Sequence, residues 1–65
     1  MTINLNGKPA ETSAIDLASL LVTLAHAPTS VATAVNGDFV AHTERANCKL
    51  AEGDRVDIIA PMSGG

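Results

Sequence analysis

Apolar and polar residues alternate over Met1-Thr2-Ile3-Asn4-Leu5, and a period of two predicts a half-buried strand. Asn6-Gly7 comes next. Both residues tolerate the positive φ that a tight hairpin needs, so residues 8–12 are expected to return as a second strand. Pro9 lies within it and cannot donate to a ladder, which puts this strand at a sheet edge. The period then changes. Leu17, Leu20, Leu21 and Leu24 stand at i, i+3, i+4 and i+7, the single apolar stripe of a helix. Asp16 precedes the stripe as the expected N-cap, with Ile15 and Leu20 as partners in a hydrophobic staple. Ser13 with Asp16 is the rival reading, a capping box. Pro28 is the expected stop, because the residue before a proline disfavours the α region.

Beyond the helix the period returns to two. Val31, Thr33 and Val35 are β-branched at every second position, so residues 31–35 read as a strand. Asn36-Gly37 repeats the hairpin signal, and residues 39–41 are the returning strand. Residues 42–50 show no clean period and read as a loop with a helical turn. Glu52-Gly53-Asp54 marks a third turn. Residues 55–60 form the last strand, with Val56, Ile58 and Ala60 on the core face and Arg55, Asp57 and Ile59 on the other. Pro61 ends it. One helix on one sheet is a two-layer α+β design. The expected organisation is a single domain over residues 1–60 and a flexible C-terminal Gly-Gly tail over residues 61–65. The helix has one apolar stripe, so it covers one sheet face. The other face is solvated or meets a partner, and Ile59 and Phe39 are candidates for a docking surface there.

Composition narrows the choice of function. A chain of 65 residues buries only about 60% of its unfolded surface. A core that thin favours function at a surface or an end over a deep catalytic pocket. Apolar residues are 46% and charged residues 17%, which excludes a disordered chain. With one Phe and no Trp or Tyr, the core is aliphatic and base stacking is excluded. The formal charge is −3. Lys8, Arg45, Lys49 and Arg55 are scattered and outnumbered by acids, so no nucleic acid is expected as a partner. The apolar stretch 17–27 is interrupted by Ser19, Thr23 and His26 and is too short to span a bilayer, so no membrane is expected either. Cys48 is the one cysteine. It allows no internal disulfide, and without a signal-peptide pattern the cytoplasm is the expected location.

The candidate side chains are few. His26, His42 and Cys48 have no zinc-motif spacing, so no metal site is expected. Cys48 reads as a small, partly buried structural residue. The alternative is a thiol nucleophile near Arg45 and Lys49, since reactive cysteines need an electropositive setting. The carboxylates offer no acid–base pair, and no catalytic residue is assigned.

The end of the chain is different. Met62-Ser63-Gly64-Gly65 adds no burial. It makes a narrow thread whose last residues lack Cβ, so an enclosing channel can grip the backbone closely. The thread ends in an α-carboxylate that is anionic in the cell. A carboxylate acylates only after activation, for example by attack on the α-phosphate of ATP. The AMP of the acyl-adenylate is then displaced by sulfur or nitrogen.

Ile3-Asn4-Leu5-Asn6-Gly7 at the start and the helix opening from Asp16 to Leu21 belong to a recognisable pattern. It continues with Ala34-Val35-Asn36-Gly37 before Phe39-Val40. It closes with Leu50-Ala51-Glu52-Gly53-Asp54-Arg55-Val56-Asp57-Ile58 leading to Gly64-Gly65. In this order and at this length the chain resembles the ThiS sulfur carrier proteins of thiamin biosynthesis, in the ubiquitin-like β-grasp superfamily. The resemblance implies a mixed four- or five-stranded sheet packed on one helix. It implies an E1-like adenylyltransferase that uses ATP and magnesium to adenylate Gly65. Sulfur from a donor such as a cysteine desulfurase then gives a thiocarboxylate, and thiazole synthase consumes it. Gly64, Ser63 and Met62 would be the tail that partners recognise. The chain would be a carrier with no bound cofactor, not an enzyme. Two departures stand out: aromatics are scarce, and Asp16 replaces the more usual Thr at the helix cap, with equivalent capping chemistry. The small subunit of molybdopterin synthase shares fold and tail but usually runs longer. A protein-conjugating modifier, a β-grasp interaction module with an inert tail and a thiol enzyme using Cys48 complete the alternatives.

Overall fold

Two asparagine–glycine pairs turn the chain back on itself. Asn6 and Gly7 have φ of 50° and 85°, and Asn36 and Gly37 have 53° and 88°. Positive φ at both central positions gives a two-residue turn whose twist matches the flanking strands. The computed structural model describes residues 1–60. Met62, Ser63, Gly64 and Gly65 lie outside the described residues.

The strands are β1 (Thr2–Leu5), β2 (Lys8–Glu11), β3 (Ala32–Val35), β4 (Asp38–Val40) and β5 (Arg55–Ile59). Helix α1 (Leu17–Thr23) follows β2, and a 3-10 helix (His42–Asn47) follows β4. The sheet order is β2-β1-β5-β3-β4. β1 runs parallel to β5, and the other neighbours are antiparallel. A mixed five-stranded sheet on one helix is the expected α+β, β-grasp architecture. β2, with Pro9, is an edge strand as its missing donor requires.

Leu17, Leu20 and Leu21 turn inward and pack with Ile3, Val31, Leu50, Val56 and Ile58. The Asp16 side chain accepts from the Ser19 N–H at 2.7 Å, so Asp16 is the cap and the Ser13 alternative is excluded. Four expectations are corrected. Leu24 is the C-cap and 37% exposed, so it does not join the inward stripe. The helix ends at Thr23, well before Pro28, with Leu24 as C-cap and Ala25 just beyond it at φ of 62°. The His26 N–H donates to the Leu21 carbonyl and the Ala25 N–H to that of Val22, each at 3.0 Å. That pair of bonds is a Schellman motif, closed here by alanine in the left-handed region. Ile15 is 65% exposed, so it forms no buried staple with Leu20. Its carbonyl accepts from the Leu50 N–H, and Leu17 donates to Cys48. This backbone pairing fixes the entry to α1 with the Ile15 side chain outward. Ala60 is also exposed, one residue beyond the end of β5.

Arg45 was one of the scattered basic residues of the sequence. It is 4% exposed. Nε donates to Thr33 Oγ1 at 3.0 Å, Nη1 to the Pro28 carbonyl at 2.6 Å and Nη2 to the Val31 carbonyl at 2.7 Å. Thr33, itself buried, donates to the Val40 carbonyl at 2.9 Å. The guanidinium thus ties the 3-10 helix to the segment between α1 and β3.

Candidate functional site

β5 is the strand from which the C-terminal residues depart, and it is central in the sheet. Its backbone is bonded on both sides: Asn4 and Asn6 donate to Asp54 and Val56, and Asn36 donates to Arg55 at 2.7 Å. The two turn asparagines add side-chain bonds. Asn6 Oδ1 accepts from the Ile58 N–H at 2.8 Å, and Asn36 Oδ1 from the Arg55 N–H at 2.9 Å. Asn36 Nδ2 also donates to Asp54 Oδ1 at 3.1 Å, while Asp54 Oδ2 accepts from the Ala51 N–H at 2.8 Å. The sequence marked Asn6, Asn36 and Asp54 as turn residues. Their second task, holding β5, was missed. An Asn-Gly pair signals a hairpin and says nothing of which distant strand the amide will reach.

The face of the sheet away from α1 carries the candidate docking residues. Val56 and Ile58 point to the core, so Arg55, Asp57 and Ile59 point away. Ala34 pairs with both Phe39 and Asp57, and Ala32 pairs with Ile59. Phe39 and Ile59 therefore share the outer face, with Ala32 and Ala34 between them. They are 73% and 59% exposed. From strand and residue spacings they are about 10 Å apart across the sheet and about 7 Å along it. Arg55 and Asp57 lie on the same face as an ion pair at 3.7 Å, both partly exposed. Such a pair contributes little stability, at most about 1 kcal/mol. The sheet thus brings Ile59 and Phe39 onto one surface at the end of β5. Met62, Ser63, Gly64 and Gly65 fall outside the described residues.

Cys48 is half-buried and free. Burial, then the charges of Asp54 and Asp16, push its thiol above the ordinary value. A raised pKa disfavours the thiolate, the reverse of an activated nucleophile. Among the described residues no three His, Cys, Asp or Glu side chains are grouped to hold a metal ion. No helix there is long and apolar enough to cross a membrane.

The sequence matches the family model described as the ThiS family over residues 3–65. The chain belongs to the ThiS family. Two solved structures have the same fold. The crystal structure of the thiamine biosynthesis protein (ThiS) from Geobacter metallireducens is 26% identical, with a TM-score of 0.84 and all of both chains covered. The solution structure of a thiamine biosynthesis protein from the same organism gives the same identity and TM-score, covering all of this chain and 88% of that one. No curated protein matches the sequence significantly. ThiS membership supports a thiamine-biosynthesis sulfur carrier, a small protein that is not itself a catalyst. Asn6, Asn36 and Asp54 brace the strand that leads to the C-terminus.

Proposed function

We propose that Gly65 carries sulfur as a C-terminal thiocarboxylate for formation of the thiazole ring of thiamin. The observation that carries this reading is the extent of the family match, which includes Gly64 and Gly65. The Gly65 carboxylate attacks the α-phosphate of ATP, held with magnesium by an E1-like adenylyltransferase, and pyrophosphate leaves. A sulfur nucleophile then displaces AMP, its sulfur coming from a donor such as a cysteine desulfurase. Thiazole synthase receives the sulfur. Met62, Ser63 and Gly64 form the thread that these partners grip, and Ile59 with Phe39 docks the domain beside it. The setting is the cytoplasm. Cys48 takes no part in this reading, and the burial and neighbouring Asp54 and Asp16 charges that push its thiol pKa up disfavour the thiolate a nucleophile needs.

Reach supplies the test. Misplacing a reacting atom by about 1 Å can cost roughly 100-fold in rate, and one extended residue is about 3.3–3.6 Å. Deleting Gly65, or adding one residue after it, should abolish ATP–pyrophosphate exchange by the adenylyltransferase while circular dichroism stays unchanged. Gly64→Ala should give a severe but smaller loss, because its methyl group meets a channel shaped for bare backbone. Exchange by the truncated chain at the full rate would sink the carrier reading in favour of an interaction module with an inert tail.

A further inference from the structure

A concavity lies on the side of the sheet away from Phe39 and Ile59. It has a volume of about 250 Å³ and opens between α1 and the 3-10 helix. Its walls include Leu21 and Val22 of α1, Pro28, and His42, Arg45 and Ala46. Most of this lining is aliphatic, and Val22 at the mouth is 77% exposed. Pockets for drug-sized ligands start at about 300 Å³, so the occupant is a small one.

Charge selects its chemistry. The guanidinium of Arg45 has five N–H donors and no acceptor. Three are committed, to Thr33, Pro28 and Val31, which leaves two on the terminal nitrogens. The three acceptors are a hydroxyl and two carbonyls, all neutral. Among the described residues the one ion pair is Arg55 with Asp57, so none of their carboxylates lies within 4.0 Å of the Arg45 guanidinium. A buried charge without a counter-ion is costly, and a guanidinium matches a carboxylate geometrically. Pro28, whose carbonyl takes the Nη1 bond, lines the same pocket as Arg45. His26 and His42 also line it and supply further ring N–H donors.

We propose that the pocket between α1 and the 3-10 helix is a binding site for a short aliphatic carboxylate. The chain of the ligand lies on Leu21, Val22 and Ala46, and its carboxylate faces Arg45. The proposal does not rest on the carrier chemistry of Gly65.

Hexanoate is the probe, titrated into the full ¹⁵N-labelled protein and followed by amide shifts. Saturable shifts at Val22, His26, Thr43 and Ala46 are expected, with millimolar affinity. Hexan-1-ol has the same chain and no charge, and it should bind at least tenfold more weakly. Ala46→Phe fills the mouth from an exposed position and should weaken hexanoate at least tenfold with the fold intact. Arg45→Met should remove the preference for hexanoate over the alcohol if it folds, and Ala46→Phe decides the matter if it does not. Absence of saturable shifts, equal binding of the alcohol, or unchanged binding by the Ala46→Phe protein would each overturn the proposal.

Discussion

The Asp16 carboxylate is held below its ordinary value of 3.8, chiefly by the hydrogen bond from the Ser19 backbone. A depressed carboxylate pKa stabilises the fold at pH above the unfolded value, and that contribution disappears as pH falls through the lower, folded value. Asp16→Asn keeps an acceptor oxygen without the charge. The prediction is that the urea midpoint of the parent exceeds that of Asp16→Asn at neutral pH, and that the gap closes below pH 3.8. A gap independent of pH would show that the charge is irrelevant to the cap. Asp16 was legible because a cap acts over three residues of one chain segment. Arg45 was not, because its three acceptors lie 12, 17 and 14 residues away. From its neighbours Thr43, Glu44 and Asn47, Arg45 reads as one more surface charge. Only the approach of Pro28, Val31 and Thr33 makes it a buried tie.

At the scale of elements, α1 is bounded by two different kinds of signal. Its start is marked by a side chain that prefers that position. Its end is a backbone conformation that the residue there resists: Ala25 sits at φ of 62°. A left-handed non-glycine residue costs about 1–2 kcal/mol, and glycine in its place gives back part of that gain through its greater freedom in the unfolded chain. Ala25→Gly should therefore stabilise the domain by about 0.5–1 kcal/mol. The measurement is a higher urea midpoint at unchanged m-value; no rise would mean that Ala25 is unstrained. Pro28 misled as the stop signal because the Schellman bonds close the helix first, and a C-terminal glycine that would have marked the place is missing. The two hairpins were easier to read. Each depends on an adjacent pair of residues, and Leu5–Lys8 and Val35–Asp38 pair directly across their turns.

For the whole molecule, two surfaces are separated by the sheet and its helix. Replacing both Phe39 and Ile59 by Asp should leave the fold intact, since both side chains are exposed. It should raise the KM for the carrier in adenylation at least tenfold, about 1.4 kcal/mol, with a smaller change in kcat. Tail truncation, by contrast, removes the reacting atom. An unchanged KM would place docking elsewhere. The sequence by itself determined the element types, both hairpin turns, the edge position of β2, three of the four inward leucines and the chemical candidacy of Gly65. These follow from local periods, turn chemistry and residues adjacent in the chain. Only the tertiary structure decided that β1 lies parallel to β5, that Asn6 and Asn36 brace β5, that Phe39 and Ile59 share a face, and that Arg45 is buried beside a pocket. Each of these rests on contacts between distant segments, where a residue's role depends on which strand or helix packs against it.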